Sequence, residues 1–206
     1  MIREIEWLLH SIIASLFAIS IHEYAHGIVA YKLGDPTPNA LGRLSLNPLR
    51  HLDPVGIIML VIFKVGWAKP VQINPLYFKN RKSSVIFVAL AGPLANLIVA
   101  WTADKLIYVV AHMPLAYGIA RSLIILLIIT TELNLILAAF NLIPLPPLDG
   151  SRIVANLLPL KARMTYESLS KWAPLILILG VWTDVLDYVL YPIVHVLRLI
   201  VYSFTI

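Results

Sequence analysis

The chain has 206 residues, of which 60% are hydrophobic and only 13% charged, whereas soluble domains carry about 25% charged residues. This composition excludes a soluble protein, and the absence of cysteine excludes disulfides and thiolate catalysis. The formal net charge of +5 indicates loops that face anionic lipid, because no nucleic-acid-binding motif accompanies it. We therefore expect a lipid bilayer and no nucleic acid among the partners, and a single membrane-embedded domain over residues 1–206.

The first predicted span covers residues 5–31 and carries the H-E-x-x-H motif His22-Glu23-Tyr24-Ala25-His26. Residues four apart lie on one face of a helix, so both imidazoles can reach one metal ion. Zinc suits this ligand pair, and Glu23 is placed to accept a proton from the attacking water. Ionisable groups are costly in lipid, so their presence indicates function. The alternative is a hydrogen-bonded His/Glu cluster facing the interior of a helix bundle.

The connection between the first and second spans predicts irregular structure at the membrane surface. The stretches 42–48 and 67–75 are short and interrupted by prolines, which is typical of short strands or turns. The apolar stretch 54–67 is short for a span, and a single crossing would put the lysines on its two sides in opposite compartments. We therefore expect a re-entrant or interfacial segment there, covered by protein or lining a wet cavity.

The second and third predicted spans cover residues 84–111 and 119–143, and a proline-rich motif follows the third. This motif reads Asn141-Leu-Ile-Pro-Leu-Pro-Pro-Leu-Asp-Gly150. Its prolines end the helix and leave extended backbone behind it. The amide of Asn141 could donate to an oxyanion or a substrate carbonyl. The alternative role is an inter-helix hydrogen bond, which is common for asparagine in membranes.

Basic residues predict which loops are cytoplasmic. Eight of them lie between residues 32 and 82 and four between residues 150 and 171, whereas the connection at 112–118 has none. Cytoplasmic loops carry an excess of Lys and Arg, so the first span runs from outside to inside, the second returns, and the third ends inside. His26 and Asp149 are then predicted to lie at the same depth, near the cytoplasmic face.

A catalytic zinc usually has three protein ligands and a water, so the H-E-x-x-H motif lacks one ligand. Asp149 is the better candidate, because its predicted depth matches that of the two histidines. His51 is also predicted to be cytoplasmic and stays open as an alternative ligand. For Asp149 itself, the alternative role is a turn-forming Asp-Gly pair.

The last apolar region, residues 172–206, contains a polar break at Thr183-Asp184-Val185-Leu186-Asp187. It predicts either one long kinked helix or a hairpin of two shorter helices. Within the third span, Glu132 is expected to find a structural partner and Asn134 to hydrogen-bond a neighbouring helix. The predicted fold is an all-α polytopic membrane protein, with a bundle of about four to five transmembrane helices and a re-entrant, short-strand segment between the first and second spans.

The motifs H-E-x-x-H and N-x-x-P-x-P-x-x-D-G, in this order and on separate helices, resemble those of the site-2 protease family of intramembrane zinc metalloproteases (peptidase M50-type). The stretches 42–54, 66–75 and 91–96 also look like the intervening segments of that family. The resemblance covers the core motifs at 20–150. Many members carry an extra helix before H-E-x-x-H, or PDZ or CBS domains; we expect neither here.

The resemblance implies one zinc ion per chain, held by His22, His26 and Asp149. It also implies that Glu23 is the general base of peptide-bond hydrolysis. The implied product is a cut in or near a transmembrane segment of a membrane-protein substrate.

The resemblance further implies that Asn141 steadies the substrate or its oxyanion and that Asn96 lies in the core near the site. Parts of 42–48 and 67–75 would hold the unwound substrate by strand addition, through main-chain hydrogen bonds.

Together these features predict an intramembrane zinc endopeptidase that acts near the cytoplasmic face, in a multi-pass protein of a prokaryotic cell membrane. Two alternatives stay open. A metal-binding homologue without peptidase activity is one, although the intact Glu23 argues against it. An ion or proton transporter is the other, and it predicts ionisable groups spread over the membrane depth rather than clustered at one level.

Overall fold

The computed structural model describes residues 2–53 and 69–203, and most of these residues are helical. The described α-helices are, in chain order, α1 (Ile2–Lys32), α2 (Thr37–Ala40), α3 (Arg81–His112), α4 (Tyr117–Leu142), α5 (Asp149–Leu157), α6 (Leu160–Ser168), α7 (Ala173–Trp182) and α8 (Val185–Tyr202). Short 3-10 turns occur at Pro48–Arg50, Pro75–Tyr77 and Leu169–Lys171.

Four of the described helices are long and apolar enough to cross a membrane, namely α1 from Glu4 onwards, α3, α4 and α8. A helix rises about 1.5 Å per residue, so about 20 residues cross the hydrocarbon core. The first three coincide with the predicted spans at 5–31, 84–111 and 119–143. The predicted all-α polytopic protein with about four to five transmembrane helices therefore agrees with four described helices of spanning length.

The directions of the three long helices bring their functional ends together. α3 runs antiparallel to α1, because its early residue Val88 contacts His26 while its later residue Asn96 contacts Ala18. It also runs antiparallel to α4, because Asn96 contacts Asn134 while the later Ala100 contacts the earlier Thr131. α1 and α4 therefore run parallel, and Arg121, early in α4, pairs with Glu6, early in α1, at 2.9 Å. The late parts of α1 and α4 and the early part of α3 thus meet at one end of the bundle.

Small residues let these helices pack closely. A buried cluster joins Ala100 of α3 to Ala138 and Ala139 of α4 and to Leu197 of α8. The hydrophobic effect does not drive helices together within lipid, so membrane helices rely on small side chains that allow close van der Waals contact. This packing fixes the relative height of α3 and α4, and therefore of the residues near the site.

The connection before α3 contains turns and irregular backbone, the second of the two predicted possibilities, and the short-strand alternative is not seen in its described residues. Among the described residues, 43–47 and 69–74 form irregular backbone rather than strands. The physical reason is that segment 69–74 has few backbone N–H groups left for pairing with a strand. Pro70 has no N–H, and the N–H groups of Val71 and Asn74 donate to carboxylate side chains instead of a neighbouring strand. The predicted re-entrant segment at 54–67 lies outside the described residues.

The last region contains two helices rather than one kinked helix. α7 ends at Trp182 and α8 begins at Val185. Between them, Asp184 adopts a left-handed conformation with φ 56°, which aspartate tolerates better than most residues. The polar break at 183–187 therefore marks the end of one helix and the start of the next, as the sequence predicted.

Glu132 has the structural partner that was expected for it. One carboxylate oxygen accepts a hydrogen bond from Arg198 Nη2 at 2.5 Å, and the other accepts from the hydroxyl of Tyr202 at 3.1 Å. Both partners belong to α8, so the group attaches α8 to α4. An ion pair of this kind lowers the cost of each charge among apolar helices.

We expect Glu132→Gln to lower the thermal unfolding temperature in detergent, because the guanidinium of Arg198 loses its counter-ion in an apolar environment. Adding Arg198→Gln should restore part of the loss, since the double variant contains neither charge. Differential scanning fluorimetry on both variants and the wild type tests this. An unchanged unfolding temperature in Glu132→Gln would show that the pair contributes nothing to stability.

Candidate active site

Three potential metal ligands meet where α1, α3 and α5 converge. His22 Nε2 and His26 Nε2 are 3.0 Å apart, and Asp149 Oδ2 lies 3.1 Å from the first and 3.0 Å from the second. The three atoms form a nearly equilateral triangle, and all three residues are buried. The four-residue spacing on α1 does put both imidazoles on one face, and the first residue of α5 completes the group.

Hydrogen bonds fix the tautomer of each histidine. His22 Nδ1 lies 2.6 Å from Asn96 Oδ1, and His26 Nδ1 lies 2.7 Å from the carbonyl oxygen of Val88. Both oxygens can only accept, so each Nδ1 carries the proton and donates. Each Nε2 is then left with a lone pair that points at the centre of the triangle, which is the arrangement that metal-binding histidines normally have.

Asn96 is itself held in one orientation. Its side chain is fully buried, and its Nδ2 donates to Ala18 O at 3.2 Å and to Asn134 Oδ1 at 2.7 Å. Asn134 Nδ2 donates in turn to Thr130 O. Both amide hydrogens of Asn96 are used, so its oxygen must face His22. The predicted inter-helix role of Asn134 is confirmed, and Asn96 does lie in the core beside the site.

The donor set fits a divalent zinc ion. Three lone pairs converge within 3.1 Å, and ligands of a tetrahedral zinc at about 2.0–2.1 Å from the metal are about 3.3 Å apart. Asp149 supplies the third donor atom as a carboxylate oxygen, and the ionised carboxylate is the form that binds a metal.

Gly92 lies so close to His22 and His26 that a larger residue would clash with both imidazole rings. A Cβ atom at this position of α3 would lie within 2.6 Å of His22 Nε2 and closer still to His26 Nε2. No side chain could be accommodated without displacing both rings. The early part of α3 is therefore shaped around the site, with Gly92 as the point of closest approach.

The proline-rich motif places Asp149. α4 ends at Leu142, and α5 begins with Asp149 itself, so the six residues between them include all three prolines. A Cβ on the next residue, Gly150, would collide with the carbonyl of Leu142, which shows how tightly the chain turns back. A carboxylate in the first turn of a helix is also stabilised by the helix dipole. Asp149 is therefore a buried helix-start residue rather than part of a simple turn.

Glu23 lies beside the triangle and is oriented by segment 69–74. Its Oε2 accepts a hydrogen bond from Val71 N at 2.8 Å. The segment is anchored on both sides of this contact: Lys69 N donates to His51 O at 2.8 Å, and Asn74 N donates to Asp35 Oδ2 at 2.6 Å. One oxygen of Glu23 is thus held by the backbone of this segment.

A cavity of about 110 Å³ joins these groups. It is lined by the three potential ligands, Glu23, Val71 and Asn141, among others. Asn141 Nδ2 donates one hydrogen to Leu137 O at 3.0 Å, within its own helix. An amide nitrogen carries two hydrogens, so this bond uses one of them. The carboxylate, the amide and the ligand triangle all border the same small volume.

Comparisons with known proteins decide the family. A family model described as "Peptidase family M50" matches residues 103–181, which include the motif at 141–150. The chain is 37% identical over 187 residues to the Bacillus subtilis protein named "Putative zinc metalloprotease YwhC", covering 89% of this chain and 85% of that protein. The chain belongs to peptidase family M50.

Two further relatives of this M50 chain are also named as zinc metalloproteases. It is 29% identical over 189 residues to "Putative zinc metalloprotease Rip2" of Mycolicibacterium smegmatis, covering 87% of this chain and 69% of that protein. It is 31% identical over 102 residues to "Putative zinc metalloprotease MJ0611" of Methanocaldococcus jannaschii, covering 48% and 49%. No solved structure matches the chain. Membership of M50 and four helices of spanning length identify a multi-pass membrane metalloprotease.

His51, the alternative ligand, is not part of the group. Within the described ranges 2–53 and 69–203, the cluster of histidine and acidic side chains able to hold a metal is His22, His26 and Asp149. His51 Nε2 lies 2.7 Å from Ser45 O, and its own carbonyl accepts from Lys69 N. Its buried ring thus holds the connection before α3 together, which favours Asp149 as the third ligand.

Several residues of the M50 site were not singled out from the sequence. Gly92 had a signal, since an isolated glycine inside a helical pattern often marks a close approach. Asp35 had a weaker signal, as an acid close after the predicted first span. In the structure it is fully buried and accepts from Thr37 N as well as from Asn74 N. The contacts of the Val88 carbonyl and the Val71 N–H had no sequence signal, because any residue type supplies these groups.

We expect Asn96→Ala to lower zinc affinity by about 10–100-fold, the usual cost of losing a partner that orients a metal-binding histidine. The variant leaves His22 Nδ1 buried without an acceptor. Asn96→Asp, which keeps an oxygen in place, should retain more zinc than Asn96→Ala. Competition with a zinc chelator, followed by metal analysis of the purified protein, measures this. Equal affinities in the wild type and Asn96→Ala would contradict the orienting role.

Proposed function

We propose that this chain is a site-2-type intramembrane zinc endopeptidase, which hydrolyses peptide bonds in or near transmembrane segments of other membrane proteins. One observation supports this most strongly. His22, His26 and Asp149 direct three lone pairs at one point, and the free side of Glu23 borders the same cavity. That combination is what metal-assisted hydrolysis requires.

When bound, zinc would lower the pKa of a coordinated water to about 7 and polarise the scissile carbonyl. Glu23 would accept the proton of the attacking water and return it to the leaving amine. The hydrogen bond from Val71 N holds the carboxylate of Glu23 in place for both transfers. Asn141 would donate its second amide hydrogen to the developing oxyanion or to a substrate carbonyl.

A transmembrane substrate must unwind locally, because a helical turn hides its carbonyls in hydrogen bonds. Segment 69–74 could receive the unwound chain by strand addition. Its N–H groups at Lys69, Val71 and Asn74 already have acceptors within the protein. The remaining main-chain groups for a substrate are therefore centred on Gln72, which is exposed. Helix-breaking residues near the cut should make a substrate better.

The proposed site lies near the cytoplasmic face of a prokaryotic cell membrane. The end of the bundle that contains the site also carries the two basic connections, 32–82 and 150–171, and cytoplasmic loops are rich in Lys and Arg. Water reaches a site near the surface more easily than one at the bilayer centre. The bacterial and archaeal relatives support the prokaryotic assignment.

A transmembrane reporter tests the proposal. We would reconstitute the purified protein with zinc in lipid vesicles, together with a labelled single-span substrate that contains a helix-breaking pair near its cytoplasmic end. Mass spectrometry should locate a cut within or at the edge of the span, and a chelator should abolish it. Cleavage confined to segments far outside the bilayer would contradict an intramembrane site, and zinc binding without cleavage would support a non-peptidase homologue.

A further inference from the structure

A second, larger cavity lies beside the metal cavity. Its volume is about 280 Å³, and the two cavities share the side chains of Ile73 and Arg152. A water molecule takes roughly 30 Å³ in the liquid, so this volume has room for a bulky amino-acid side chain. Val88 also lines the larger cavity, and its carbonyl accepts from His26. The cavity therefore begins directly next to a metal ligand.

The walls of the larger cavity are mostly apolar and well supported. Phe78 and Val88 are nearly fully buried in one hydrophobic cluster, with Val85 and Ile73 packed against it. Ala155 of α5 also lines the cavity. Because neighbouring side chains hold these walls, the cavity is preformed, as binding sites for apolar groups usually are.

The polar side chains that line this cavity differ in whether they have a hydrogen-bond or ion-pair partner. Asn156 Nδ2 donates to Lys82 O at 2.6 Å, and Arg163 pairs with Glu167 at 2.7 Å. Arg152, in contrast, has no hydrogen-bonded or ion-paired partner for its guanidinium in the part of the chain that the structure describes. It lies one turn after Asp149 and borders both cavities, so its donors are available at their junction.

We propose that the larger cavity is the specificity subsite of the peptidase. It receives a bulky apolar side chain next to the scissile bond, while Arg152 donates to a main-chain carbonyl of the substrate. This proposal rests on the proposed function. Transmembrane substrates are rich in bulky apolar residues, and an unwound chain has carbonyls without partners, which is costly away from water. The apolar walls of the cavity suit a bulky apolar side chain, and the guanidinium of Arg152 can donate to a substrate carbonyl that lacks a partner.

Filling the cavity tests the subsite. We would compare reporters that differ only by Leu or Ala at each position flanking the mapped cut. The wild type should prefer Leu at one position, and Ala155→Phe should lower the Leu-to-Ala ratio of kcat/KM there by about 10–200-fold. Val85→Phe fills the same cavity from a different helix, α3, and should lower the ratio in the same way. Zinc content, measured on each variant, should stay at the wild-type value.

The outcomes separate this proposal from the proposed function. If the wild type cuts no reporter, the proposed function fails. If the wild type cuts reporters but a zinc-loaded variant keeps the wild-type Leu-to-Ala ratio, the subsite proposal is overturned. Loss of zinc from both variants would overturn it as well, because a cavity with the proposed room would take an added ring without displacing a ligand.

Arg152 is tested separately by Arg152→Gln. This change should lower kcat/KM by about tenfold or more for the Leu and Ala reporters alike, since a main-chain contact does not depend on the side chain that the substrate presents. The Leu-to-Ala ratio should stay at its wild-type value. An unchanged kcat/KM, or an effect on the Leu reporter alone, would overturn the assigned contact.

Discussion

Glu23→Gln should abolish turnover while leaving zinc in place. Glutamine has nearly the same shape as glutamate and can still accept from Val71 N, but it cannot take a proton from water at neutral pH. General acid–base catalysis contributes typically about 10²–10⁴-fold, so we expect kcat to fall by at least that factor. Cleavage of the vesicle-embedded reporter measures the rate, and metal analysis measures zinc per chain.

Glu4→Gln is the matched control for this change. Glu4 lies on the same helix, in its first turn at the opposite end of the bundle, so this variant should cut the reporter at the wild-type rate. Undiminished cleavage by Glu23→Gln would exclude Glu23 as the base. Loss of zinc together with activity would instead show that Glu23 helps to hold the metal.

Gly92→Ala should remove the metal and the activity together. The added Cβ would lie within 2.6 Å of both imidazole Nε2 atoms, a separation that non-bonded atoms do not tolerate. α3 cannot retreat easily, because Ala100 and other small residues pack it against α4. The histidines must therefore move, and a three-ligand site that loses its geometry loses affinity by roughly 100-fold or more. Metal analysis after dialysis against a weak chelator tests this.

Gly118→Ala is the matched control, because it makes the same substitution in a helix where a Cβ would meet nothing within 4 Å. It should keep full zinc and activity, with a small gain in helix stability. Full zinc and activity in Gly92→Ala would mean that α3 does not approach the ligands as described.

The spans of this protein could be predicted because hydropathy depends only on local sequence. Prolines after Leu142 predicted where α4 ends, and the break near Asp184 predicted where α8 begins. The hydrogen-bond partners of the backbone before α3 were harder to predict, because the N–H groups of segment 69–74 find acceptors on residues far away in the chain, Glu23 and Asp35 among them. No local pattern indicates such a partner.

The chemistry of the candidate site was predictable for a similar reason. The spacing of His22 and His26 fixes their shared face, and loop charge put Asp149 at the same depth. The sequence could not show the height of α3 relative to α1. That height brings Gly92 against both rings and aligns the carbonyl of Val88 with His26, so these residues became visible only in three dimensions.

The zinc content of the Asp149→Ala and His51→Ala variants tests the central claim most directly. Both residues were candidates for the third ligand, and both are buried, so each variant controls for the loss of a buried polar side chain. Inductively coupled plasma mass spectrometry should find one zinc per chain in the wild type and in His51→Ala, and a large loss in Asp149→Ala. Full zinc in Asp149→Ala, with loss in His51→Ala, would contradict the proposed metal centre.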